Sequence, residues 1–284
     1  MKVAIVSDSH GNATALSSVI QDAQRNHADQ FWSLGDIALT GPGSEDCYRL
    51  LNQINTTHFL RGNWEDTYGQ VREKNLVNLD DPEDIAAVMQ ARFDEIHFSE
   101  NIRKQIAGLP FKQEFSLEGI KFALYHNSPG SDHGHQMFPT NRQENFNLFS
   151  RDTDADIIIY AHIHQQLLRY TDKGQLILNP GSVGEPWAVS ANLLLNRRAN
   201  YILMDIDHGG ISNLEFKHIN YNLEKEIDLA YSRDLPYANL YERLIKTGRG
   251  FTHDDKSLII ENKKHRYRSI AKEFLNQINS SDND

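Results

Sequence analysis

What most restricts the fold of this chain is one repeating pattern. Apolar runs of four to six residues are each closed by a polar cluster and followed by an amphipathic stretch. The first run, residues 2–7 (KVAIVS), is β-branched on both faces, as in a central parallel strand. Residues 12–26 then set Leu16, Val19, Ile20 and Ala23 on one helical stripe, with Asn12 as the candidate N-cap. The same alternation predicts strands at 31–34, 57–60, 121–125, 156–160, 175–178, 201–206 and 213–219. Helices are predicted at 44–53 with Ser44 as cap, at 83–107 closed by Pro110, and at 141–150. From about residue 223 the pattern is helical, ending in a helix at 256–277 and a polar SSDND tail expected to fray. Strands alternating with helices predict an α/β layered fold with helices outside.

Composition narrows the class further. At 284 residues, with 39% hydrophobic and 24% charged residues, the chain fits one large α/β domain or two modest ones and excludes a disordered or fibrous protein. Its longest purely apolar runs, residues 157–161 among them, are far short of the ~20 needed to span a bilayer. Asp8 interrupts the first apolar stretch too early for a signal peptide, and the single Cys47 has no partner for an internal disulfide. A cytoplasmic chain without a membrane partner is therefore expected. The formal net charge of −10 argues against nucleic acid as a partner. A phosphate substrate remains compatible if bound cations reverse the sign locally.

Five predicted strands run into residues that ligate metals: Asp8 and His10 after the first, Asp36 after the second, Asn63 after the third, His126 after a fourth, His162 and His164 after a fifth. Ligands bind at the carboxyl ends of strands in open α/β sheets, so these loops are expected to converge. Two carboxylates, one amide and four imidazoles exceed the three or four protein ligands of a single zinc ion. They suit two ions sharing the set. The mixed donors favour iron, manganese or zinc over calcium or magnesium. Asp36, from the middle strand, is the candidate bridge, beside a bridging hydroxide acting as nucleophile.

The motifs DSHGN (8–12), GDIALTGP (35–42), GNWE (62–65), YHNSP (125–129), AHIH (161–164) and NPGSVG (179–184), in that order, resemble the calcineurin-like metallophosphoesterase superfamily. The resemblance covers roughly residues 1–219. It implies a four-layer αββα sandwich with a helical insertion at about 70–110, and residues 220–284 as a helical extension packed on the same domain. It further implies that one ion takes Asp8, His10, Asp36 and His164, and the other takes Asp36, Asn63, His126 and His162. Asp36, Asn63 and His126 are the residues to which catalysis is assigned.

Two departures stand out. Ala161 replaces the usual Gly of GHxH, a small change. Trp64 replaces the histidine that normally helps protonate the leaving group, a contribution of ~10²–10⁴-fold for a positioned general acid. Its loss penalises alkyl esters most and phosphoanhydrides least, and an indole offers a face on which a nucleobase stacks. GNWED, HIHQQLLRY (162–170) and the helical C-terminus resemble the bacterial asymmetrical diadenosine tetraphosphate hydrolases. This implies cleavage to ATP and AMP with two transition-metal ions, iron and manganese first, with zinc, cobalt or nickel as alternatives. Candidate substrate contacts are Trp64, Asn12, His133 (with its neighbour His135) and Arg198 (with Arg197). The alternatives are a phosphomonoesterase, phosphodiesterase or protein phosphatase of the same superfamily and, further off, a non-catalytic scaffold. Oligomeric state stays open.

Overall fold

The computed structural model describes residues 1–73 and 77–281. The expected fraying of the tail falls largely on 282–284, outside the described residues, as do positions 74–76 of the expected insertion. The chain begins with β1 (Lys2–Val6), α1 (Ala13–Arg25), β2 (Gln30–Ser33), α2 (Ser44–Gln53) and β3 (Thr56–Phe59). Three helices follow, α3 (Asn63–Glu73), α4 (Pro82–His97) and α5 (Glu100–Gly108), and then the hairpin β4 (Lys112–Leu117) and β5 (Ile120–Tyr125). Next come α6 (Gln143–Phe146), α7 (Phe149–Asp152), β6 (Ile157–Ile159), β7 (Leu167–Tyr170), β8 (Leu176–Asn179) and α8 (Ala191–Leu194). A long hairpin, β9 (Ala199–Asp207) and β10 (Gly210–Ile219), leads into α9 (Leu223–Ser232), α10 (Ala238–Thr247), α11 (Asp255–His265) and α12 (Tyr267–Ser281).

These strands form two five-stranded sheets, ordered β10-β9-β1-β2-β3 and β4-β5-β6-β8-β7. The parallel centres are β1-β2-β3 in one and β5-β6-β8 in the other. Strand alternation assigns the layers. Val3 and Ile5 share a buried core with Trp32, Phe122, Leu124, Ile159 and Met204, which lies between the sheets. Ala4 and Val6 face the opposite way, into a core shared with α1 residues Leu16, Val19 and Ile20. Ala123, Tyr125 and Ile158 pack outward against Phe146 and Phe149 of the two short helices. The result is the αββα sandwich. The helix-side core of the first sheet also takes in Ile227, Tyr241, Leu244, Leu258 and Phe274, so α9–α12 bury their apolar stripes there. No described helix is long and apolar enough to cross a membrane.

Several local expectations are corrected. Gly43, not Ser44, precedes α2; the Ser44 hydroxyl accepts the Leu39 N–H at 3.1 Å instead. The single helix expected at 83–107 is two, because Phe98 and Ser99 are extended (ψ 129° and 156°). Phe98 is buried there with its ring edge-on to Tyr48 and Tyr68. The helix expected at 256–277 is likewise two, broken where Arg266 turns left-handed at φ 58°. In place of one helix at 141–150 there are two four-residue helices, α6 and α7. The elements α3, β4, β7 and α8 have no counterpart among the predicted elements.

Candidate metal centre

The seven predicted ligands all sit where strands of the two sheets end. Backbone bonds continue the parallel ladders past the strands and hold the loops in register: Asp8 N–H to the Gly35 carbonyl at 3.0 Å, His10 N–H to Asp36 at 2.9 Å, Ala161 N–H to His126 at 2.8 Å. At the site the sheets are tied by a bond from His126 Nδ1 to the Leu34 carbonyl at 2.7 Å. Asp8, His10, Asp36, His162 and His164 all have left-handed backbone, with φ between 45° and 61°. Such strain collects where the surroundings over-determine the conformation, commonly at functional sites. Gly62 is required for a different reason: a Cβ there would lie 2.1 Å from Asp36 Oδ1 and 2.7 Å from His126 Cε1.

Two groups of donors result, Asp8–His10–His164 and Asp36–His126–His162, each with its ligand atoms within 4.8 Å of one another. In the first, His10 Nε2 and His164 Nε2 face each other at 3.1 Å, and His164 Nε2 lies 3.3 Å from Asp8 Oδ1. In the second, His126 Nε2 is 3.2 Å from Asp36 Oδ2. Asn63 Oδ1 completes it, 3.1 Å from His126 Nε2 and 2.8 Å from His162 Nδ1. Asp36 Oδ2 also stands 3.8 Å from His10 Nε2, which places it between the two groups.

These donors fit cations. Atoms held ~2.0–2.2 Å from one ion at right-angled to tetrahedral geometry stand about 3.0–3.5 Å apart, close to the spacings seen. Asp8 Oδ2 is buried without a hydrogen-bond partner and Oδ1 has only the His164 imidazole beside it, a costly state that a bound cation relieves. Two of the histidines are already turned for the task. His126 and His164 each give Nδ1–H to a backbone carbonyl, Leu34 and Glu185, at 2.7 Å, leaving Nε2 free toward the centre.

The electrostatics agree. Burial pushes the Asp8 and Asp36 carboxyls up, but the neighbouring imidazoles outweigh it, His164 most for Asp8 and His126 most for Asp36, and hold both below their ordinary range. Burial opposes a charge on His126 and His164, yet Asp36 raises His126 to about 10 and Asp8 raises His164 to about 9. His162, disfavoured by burial and by His126, falls to about 4. Metal binding at such a cluster is coupled to the loss of imidazole protons.

The remaining predicted contacts are not among the two donor groups. Asn12 is committed to the fold: its Oδ1 caps α1 through Ala15 N–H at 2.9 Å, and its Nδ2 donates to Tyr221 Oη at 3.2 Å. Trp64 is half-buried against the helix-side core, edge-on to His10 with centroids 6.3 Å apart. His133 is exposed and pairs with Asp132 at 2.7 Å; Arg198 donates to Asn220 at 3.1 Å. Arg197 is buried and gives its guanidinium to the Pro186 and Ile245 carbonyls.

Sequence reasoning passed over one residue that matters. Glu65 is buried, and its carboxylate accepts N–H bonds from Asp36, Ile37, Ala38 and Gly62 at 2.7–3.0 Å and the Tyr48 hydroxyl at 3.0 Å. The signal was present: with Gly62 before α3, Glu65 occupies the third helical position, from which a glutamate reaches back to the cap N–H. Ser182 and Gly184 of NPGSVG serve similarly, both donating to the Asp8 carbonyl.

Fold and site together define a class: an αββα sandwich with paired metal-binding groups at the carboxyl ends of its strands. Residues 1–209 match the Calcineurin-like phosphoesterase superfamily domain, and the chain belongs to that superfamily. Membership points to a metal-dependent hydrolase, and the two donor groups fit a dinuclear centre. An uncharacterized protein of Methanocaldococcus jannaschii is 24% identical over 250 residues, 82% of this chain and 93% of that one. A metallophosphoesterase of Sphaerobacter thermophilus superposes with TM-score 0.69 at 20% identity, covering 88% of this chain and all of that one (100%). A hypothetical protein of Pyrococcus horikoshii also gives 0.69, at 16% identity, over 88% and 99%. Both structures share the fold.

Proposed function

We propose that this protein is a dinuclear-metal phosphohydrolase that cleaves diadenosine tetraphosphate asymmetrically to ATP and AMP. The observation that carries the dinuclear reading is Asp36 Oδ2, set between His10 and His126 across two donor groups. Asp8, His10, Asp36 and His164 would hold one ion, and Asp36, Asn63, His126 and His162 the other, with iron and manganese as first choices. When bound, such a pair supplies Lewis acidity to phosphoryl oxygens and a water activated near neutral pH. The chain's own part is positioning. The Leu34 and Glu185 carbonyls aim two imidazoles. The Trp64 N–H holds Asp36 Oδ1 at 2.9 Å, which fixes the outward aim of Oδ2.

The anhydride substrate is supported by Trp64 standing where the resembled motif carries an acid, since a leaving phosphate needs no proton. The same centre also serves a phosphomonoester or phosphodiester, because fold and metal site do not choose the substrate. Small-molecule rather than nucleic-acid binding follows from the acidic chain, and buried, free Cys47 suits a reducing cytoplasm.

The test is product analysis by manganese-loaded protein on diadenosine tetraphosphate, nitrophenyl phosphate, a cyclic nucleotide and a phosphopeptide. ATP plus AMP is expected, with Asp36→Asn lowering turnover by at least ~100-fold. Two molecules of ADP, or turnover of the esters alone, rejects the substrate; full activity in Asp36→Asn rejects the centre.

A further inference from the structure

Beside His164 the chain sets out an aromatic and apolar surface that the ligand set does not use. Trp187 lies two residues beyond Glu185, whose carbonyl orients His164, and its own N–H donates to the His164 carbonyl at 3.1 Å. Its indole rests against Phe138, centroids 5.4 Å apart at 56°, and Phe138 rests against His135 at 4.9 Å. The rings come from two different loops. Phe138 belongs to the one that leaves β5 through His126, and Trp187 to the one that leaves β8. Phe138 is anchored on the outer core of the second sheet, while Trp187 stays half-exposed. Just beyond it Val189, Leu193 and Leu195 are 54%, 63% and 71% exposed, and α8 buries none of its residues. Exposed apolar surface of this kind is characteristic of interaction sites.

We propose that Trp187 and Phe138 form a stacking shelf for the nucleobase of a substrate whose phosphate lies at the metal centre. This rests on the nucleotide reading above and supplies its specificity. A base has a flat π-face for an indole, and a single sugar separates it from its phosphate, which suits a shelf whose Trp187 backbone is bonded to the candidate ligand His164. His135, exposed at the end of the row, brings ring nitrogens that donate or accept at a base edge. Inorganic polyphosphate has nothing to place on such a surface. Of the other two indoles, Trp32 is fully buried and Trp64 is packed on the core.

The experiment compares diadenosine tetraphosphate with inorganic tripolyphosphate on manganese-loaded protein, and follows AMP binding by indole fluorescence. In Trp187→Ala the ratio of KM for the dinucleotide to KM for tripolyphosphate is expected to rise roughly tenfold, the size of one lost base–aromatic stack. Trp187→Phe, which keeps a ring and guards against misfolding, restores most of that ratio. AMP quenches the wild-type emission, and Trp187→Phe abolishes the quench. Nucleotide cleavage with an unchanged KM ratio in Trp187→Ala overturns the shelf alone. A wild type that turns over tripolyphosphate or nitrophenyl phosphate, cleaves no nucleotide and shows no quench overturns the nucleotide reading and the shelf together.

Discussion

At the scale of single residues, the centre depends on side chains that touch no cation. Glu65 gathers four backbone N–H groups from two ligand loops, and left-handed Asp36 is held between that carboxylate and the Trp64 N–H. Removing the acceptor leaves several buried donors unmet, each costing about 1–3 kcal/mol. Glu65→Ala is therefore expected to lose at least ~3 kcal/mol in urea denaturation, and to retain less manganese after gel filtration than wild type. Wild-type stability in that variant would show that the loops hold themselves. The seven candidate ligands stood out in the sequence as a set, because each type has metal chemistry and each follows an apolar run, although singly each is ordinary turn or cap chemistry. Glu65 was harder to see, since an acid in the first turn of a helix is ordinary and its multiple acceptance is a property of two loops and α2 meeting.

At the scale of elements, legibility followed burial. Central strands such as β1 and β6 are apolar on both faces and read directly from the sequence, whereas β4 (KQEFSL) and β7 (LLRY) are the edges of their sheet and alternate with solvent. Helix breaks at Phe98 and Arg266 escaped notice because neither has a Pro or Gly to announce it; tertiary packing sets both. Helix α4 shows the consequence of such packing for a charge. Its Asp94 is buried, accepts the Leu39 N–H at 3.0 Å, and is pushed by burial up to about 7. The unfolded carboxyl titrates near ~4. Between about pH 4 and 7 the folded state therefore keeps a proton that the unfolded state has lost, and stability falls as pH rises. Asp94→Asn, neutral throughout, is expected to be more stable relative to wild type at pH 8 than at pH 5, by at least ~1 kcal/mol in paired urea titrations. A difference independent of pH would mean that Asp94 stays ionised in the fold.

At the scale of the whole molecule, the question is whether residues 220–284 are an appendage. Tyr241, Leu244, Ile245, Phe251 and Leu258 are buried in the same core as α1 and α4, and Tyr241 Oη meets Glu226 at 3.0 Å inside it. We propose that residues 1–219 do not stand alone. A 1–219 fragment is expected to aggregate or to melt at least ~10 °C below the full chain by circular dichroism, having lost several buried side chains worth about 1.5–3 kcal/mol each. A fragment melting with the full chain would make the extension a separate unit.

Local information was enough for the α/β class, the central strands and a candidate ligand set, because periodicity and donor chemistry are written in neighbouring positions. Which donors face one another, how the two sheets trade a histidine for a carbonyl at Leu34, and where the aromatic rings of Trp187 and Phe138 meet depend on contacts between segments far apart in the chain. Those contacts exist only once the apolar faces have closed, so the folded packing alone decides them.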